Sequence, residues 1–145
     1  DRHMTSQSWT HLDKLPAGKT PTEVWKEHFL ACFITDPSAL HLRDRVGVET
    51  LAWECDYPHS DSTWPFSPEM LHEELTAAGC TDDEIDMISW KNVARFFDYD
   101  PFQHIAKEDA TVGALRARAR AAGVDTSETS KAEYKRRYDA ALVGS

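Results

Sequence analysis

The chain is poor in cysteine. Cys32, Cys55 and Cys80 are the whole complement in 145 residues, far apart and without a Cys-x-x-Cys pair. An odd count at such spacings argues against a disulfide framework and against a cysteine zinc site, and predicts reduced thiols in a cytoplasmic protein. Long apolar runs are missing too. None approaches the roughly 18 residues of a spanning helix, and no signal peptide is legible, so no membrane partner is expected. Basic residues are outnumbered 16 to 25, for a formal charge of −9, a poor electrostatic match to nucleic-acid phosphates. Internal repeats and low-complexity tracts are absent. The chain opens on Asp1 rather than Met, which suggests a piece cut from something longer.

What is present is enough for a folded domain. Hydrophobic residues make up 41% and aromatics 10%, which argues against global disorder, and the length allows a real core. Charge is uneven. Residues 1–101 hold 19 acids and 8 bases, whereas residues 102–145 hold 6 acids and 8 bases. The shift near Pro101 divides the chain into 1–101 and a helical extension, 102–145.

Residues 1–20 read as irregular. Thr20-Pro21-Thr22-Glu23 combines a cap, a proline suited to the first helical position and a capping-box glutamate, predicting a helix from Pro21 to about His28. Phe29-Leu30-Ala31-Cys32-Phe33-Ile34 is apolar without alternation, as in a strand covered on both faces. Asp36 then caps a helix to about Arg45, closed by Gly47, and Thr50–Trp53 is a second strand. About 15 residues between the strands suffice for a parallel crossover. Ser67-Pro68 opens a helix ending at Gly79. Thr81-Asp82-Asp83-Glu84 is a capping box for a further helix, whose Ile85, Ile88, Trp90, Val93 and Phe96/Phe97 form an apolar stripe. Two tail helices are expected, at about 111–122 and 130–142. The fold class is therefore mostly α with two short β-strands.

The chemistry-bearing stretch comes after the second strand: Trp53-Glu54-Cys55-Asp56-Tyr57-Pro58-His59-Ser60-Asp61-Ser62-Thr63-Trp64-Pro65. In parallel α/β architectures, side chains at the carboxyl end of a strand reach the ligand or metal. That singles out Asp56, with His59 and Trp64 as candidate pocket residues and Asp61 as one at the mouth of the site. Each also has a plainer reading: Asp56 as a turn residue before Pro58, His59 bonding backbone, Trp64 packing its loop, and Asp61 as a solvated carboxylate. Cys55 is expected to point away from Asp56 as buried filler. His28 and His72 read as solvated or packed helix residues, and His3 as the end of a helix begun upstream.

Together with the apolar run 29–34 and with Trp90-Lys91-Asn92-Val93-Ala94-Arg95-Phe96-Phe97, this stretch resembles the C-terminal third of the amidohydrolase-related family, metal-dependent hydrolases and decarboxylases on a (β/α)8 barrel. The resemblance covers about residues 1–100. It implies that the two strands are the last two of a barrel. It also implies that Asp56 is both a metal ligand and the catalytic acid/base, with His59 and Trp64 binding substrate and zinc as the cation. The family's His-x-His pair is absent from this sequence, as are six of the eight strands a barrel needs. The chain is thus expected to be a C-terminal fragment that is silent alone, holds no metal stably by itself and relies on an upstream barrel portion of the same protein. Its uncovered strands are expected to make it a homo-oligomer. An alternative is a helical interaction module: residues 111–142 are similar to SAP-like helix–loop–helix modules, with Lys131, Lys135, Arg136 and Arg137 available to a partner protein or, less expected, to nucleic acid.

Overall fold

The structure, a computed structural model, describes residue 1 and residues 18–126. The chain divides into two compact units, Asp1–Tyr99 and Asp100–Ser145. The composition boundary at Pro101 lies two residues beyond that division. The described residues are mostly helical, with one two-stranded parallel sheet.

The first unit begins with α1 (Pro21–His28), where Thr20 and Glu23 make the reciprocal capping box. β1 (Ala31–Phe33) is next. Then come two short helices, α2 (Pro37–His41) and α3 (Arg43–Val46), and a 3-10 turn, Val48–Thr50. β2 (Leu51–Trp53) pairs parallel with β1, Ala31 against Leu51 and Phe33 against Trp53. Asp36 caps α2 through the Ala39 N–H. The single helix expected over 36–45 is broken at Leu42, which lies at φ −101°, ψ 5°.

After the loop from Glu54 to Phe66 come α4 (Ser67–Ala77) and α5 (Asp82–Asp86). Gly79 ends α4 at φ +71°. There the Cys80 N–H reaches the Leu75 carbonyl and the Gly79 N–H reaches Thr76, a paired closure that needs a left-handed residue and so suits glycine. The continuous helix expected from 81 to 97 is instead α5, a π turn at Met87–Lys91, and α6 (Asn92–Phe96). The π turn, in which the Asn92 N–H reaches back to Met87, inserts an extra residue and rotates α6 relative to α5. The buried face is consequently Ile88 and Asn92, flanked by Ile85, while Phe96 and Phe97 are exposed.

The core is Phe33, Leu40, Leu51, Leu71, Leu75 and Ile88, with Trp53, Val46, Val48 and Ile85 against it. Thus the sheet face bearing Ala31, Phe33, Leu51 and Trp53 is packed. The apolar run 29–34 is not covered on both faces as expected: Cys32, on the opposite face, is exposed, as is Phe29. Alternation along a strand sends Phe33 and Cys32 to opposite sides; on the second side Cys32 is exposed while its partner Ala52 is buried. The Trp25 indole N–H bonds the Val46 carbonyl and Thr50 hydroxyl, both at 3.2 Å, tying α1 to the crossover.

In the second unit, a 3-10 turn (Lys107–Ala110) precedes α7 (Val112–Ala121), capped by Thr111 and closed by Gly123 at φ +80°. The expected helix at 130–142, with Lys131, Lys135, Arg136 and Arg137, lies outside the described residues, as does His3. No helix among the described residues is long and apolar enough to cross a membrane.

Candidate functional site

β2 delivers the chain directly into the candidate loop. Its last ladder bond runs from the Glu54 N–H to the Phe33 carbonyl at 3.0 Å, so residues 55–66 start from a fixed point at the strand's carboxyl end. Asp56 lies two residues on, at φ +53°, a left-handed conformation that aspartate tolerates better than most residues. Its carbonyl accepts the His59 N–H at 2.9 Å, closing a turn over Tyr57 and Pro58, whose peptide bond is cis. The Ser62 N–H then reaches the His59 carbonyl at 3.2 Å.

This folding gathers side chains. His59 Nδ1 lies 3.3 Å from Asp56 Oδ2, with the His59 side chain 69% and the Asp56 side chain 36% exposed. Asp61 joins them: one ligand atom each from Asp56, His59 and Asp61 lie within 4.8 Å of one another. Asp56 therefore fills its turn reading, its carbonyl closing the turn, while its carboxylate faces the imidazole. Asp61, which the sequence left between the mouth of the site and a solvated loop carboxylate, is exposed and is brought in by the double turn. Trp64 stacks obliquely on Tyr57, ring centroids 5.1 Å apart at 56°, with both rings exposed. Tyr57 had no assigned role in the sequence, and this pairing gives it one.

The donors suit a cation. One imidazole nitrogen and two carboxylate oxygens are a borderline set of the kind zinc accepts. With metal–ligand bonds near 2 Å, donors around one zinc sit about 3–4 Å apart, against a spread of up to 4.8 Å here. The residues fit the implied metal in type and nearly in span.

Cys55, in the same loop, was expected to be buried filler and is half-buried. Its sulfur is 3.4 Å from the Ser62 hydroxyl and 3.3 Å from that of Ser67, and Ser67 also accepts from Thr63 at 2.9 Å. The Ser62 hydroxyl, then that of Ser67, holds the Cys55 thiol below its ordinary pKa, because a hydroxyl donor favours thiolate. Burial pushes Cys32 and Cys80 the other way. The pH profile of iodoacetamide alkylation, followed cysteine by cysteine, is expected to show Cys55 ionising lowest. Ser62→Ala should move that profile upward, and an unchanged profile would remove the hydroxyl from this role.

The sequence matches no protein-family model and no curated protein.

Proposed function

We propose that residues 1–101 are the closing portion of a metal-dependent hydrolase or decarboxylase on a (β/α)8 barrel, of the amidohydrolase-related kind that the sequence resembles. The observation carrying this reading is the convergence of Asp56, His59 and Asp61 within 4.8 Å on the loop that leaves the carboxyl end of a parallel strand. That is where such architectures place ligands.

In this reading Asp56 has two tasks. Its carboxylate would help hold a divalent cation, and the same group would take up or return a proton as the substrate reacts. His59, in contact with Asp56 Oδ2, orients that carboxylate and lines the substrate pocket, while Trp64, braced by Tyr57, forms a wall of it. A divalent cation, zinc by donor type, would polarise the substrate and activate water there. The upstream barrel portion supplies the remaining ligands, so this chain alone holds zinc weakly and is silent as a catalyst.

The test is an NMR titration of the 145-residue chain with zinc chloride, beside elemental analysis of the purified protein. The expected result is movement of the His59 ring resonances and the loop amides, affinity roughly tenfold or more weaker in Asp56→Asn, and no stoichiometric zinc retained through purification. His59 resonances indifferent to millimolar zinc would remove the metal reading. Stoichiometric retained zinc would overturn the dependence on an upstream portion.

A further inference from the structure

Two large rings stand out to solvent on the candidate loop. Tyr57 is 63% and Trp64 50% exposed, and they lie against each other, centroids 5.1 Å apart at 56°. Their backbone is anchored at both ends. Tyr57 sits inside the turn that the His59 N–H closes on the Asp56 carbonyl at 2.9 Å. The Trp64 N–H bonds the Ser62 hydroxyl at 3.2 Å. Thr63, which is buried, donates to the Ser67 hydroxyl at the start of α4. The pair is therefore presented before anything binds, which spares a ligand the cost of ordering it.

Charge around the rings has one sign. From Val46 to Trp90 the chain holds eleven aspartates and glutamates and no lysine or arginine. Glu49, Asp83, Glu84 and Asp86 meet bases from outside that stretch. The two loop carboxylates, Asp56 and Asp61, gather instead at the His59 imidazole.

We propose that residues 56–64 form a recognition surface for an organic ammonium ion, one carrying alkyl groups on its nitrogen. An aromatic face attracts such a cation through its quadrupole. The alkyl groups cover ring surface, and the Asp56 and Asp61 carboxylates complement the charge. Other ligand classes meet only part of this surface. A neutral apolar molecule gains nothing from the carboxylates, an anion is repelled by them, and a metal ion held by the trio leaves the rings unused. The proposal stands on the rings and the charge and needs neither zinc nor a barrel.

An NMR titration of the 145-residue chain with choline, in metal-free buffer at constant low ionic strength, tests it. The control is choline's neutral carbon isostere, an alcohol ending in a tert-butyl group. Choline should move the Trp64 indole resonance and saturate at tens of millimolar, and the isostere should bind roughly fivefold or more weakly. Trp64→Ala should weaken choline by a similar factor and Trp64→Phe should recover part of it, with unchanged circular dichroism spectra. A Trp64 resonance indifferent to choline, an isostere that binds as tightly, or Trp64→Ala binding choline as wild type does would each overturn the proposal. The isostere comparison needs no variant, so it decides even where Trp64→Ala fails to fold. Zinc chloride added to the same chain in a separate titration reads the metal by itself: a response to choline and none to zinc removes the metal reading and leaves this surface standing.

Discussion

Replacing Asn92 with alanine should lower the unfolding free energy of the first unit by about 2–4 kcal/mol, read from urea melts. The side chain is buried, and its amide nitrogen bonds two main-chain carbonyls, Val48 and Leu51, at 2.8 Å each. Truncation leaves both carbonyls without that donor inside the fold, and an orphaned buried polar group costs about 1–3 kcal/mol. It also removes buried side-chain volume. Asn92→Leu separates the two effects: it fills the volume, restores no hydrogen bond, and should remain destabilised. A Leu variant as stable as wild type would show that packing, not the amide, holds α6 to β2.

Arg43 should come close in effect. Its guanidinium bonds the carbonyls of Leu40, Ala78 and Gly79 at 3.0–3.2 Å and the Glu84 carboxylate at 2.9 Å. One side chain thus joins α2, the end of α4 and the start of α5. Arg43→Met, which keeps much of the aliphatic stem, should cost about 2–4 kcal/mol, because a charged donor set is lost while Glu84 stays in place. Glu84 gives the pH signature. The Thr81 N–H, and after it Arg43, holds the Glu84 carboxyl below its ordinary value of 4.5. A depressed carboxylate contributes stability above its unfolded pKa and loses it as pH falls through the folded one. Glu84→Gln should therefore cost about 1–2 kcal/mol at pH 7. The gap to wild type should narrow below pH 4.5 and nearly vanish once the folded carboxyl is protonated. A difference constant from pH 7 to below that range would exclude ionised Glu84 as its source.

Much of the helical framework was legible from local chemistry. Thr20 with Glu23, and Thr81 with Glu84, form capping boxes over four residues, and Gly79 and Gly123 end their helices within one turn. The two strands and their parallel order came from apolar runs and the length of the crossover. The π turn did not, because nothing in Met87-Ile88-Ser89-Trp90-Lys91 breaks helical periodicity. Its rotation is fixed by Asn92 reaching residues 41 and 44 positions back. Arg43 was opaque for the same reason: its carbonyl partners at α4 lie 35 and 36 residues away, and a charged side chain reads as solvated in any apolar pattern. Within the candidate site, Asp56 and His59 stood out at the end of a strand. Asp61 did not, since joining them required two successive turns that Ser60 and Ser62 do not announce. Cys55 looked like filler because its hydroxyl neighbours arrive from the loop and from α4.

The three candidate ligands span only six positions of the polypeptide. Bringing them near one another encloses a very small ring of chain, and small rings carry little entropic penalty to close. The trio should thus persist under mild denaturant that already loosens the distant seams at Asn92 and Arg43. His59 would then keep its nearness to Asp56 after the aliphatic interior has begun to melt.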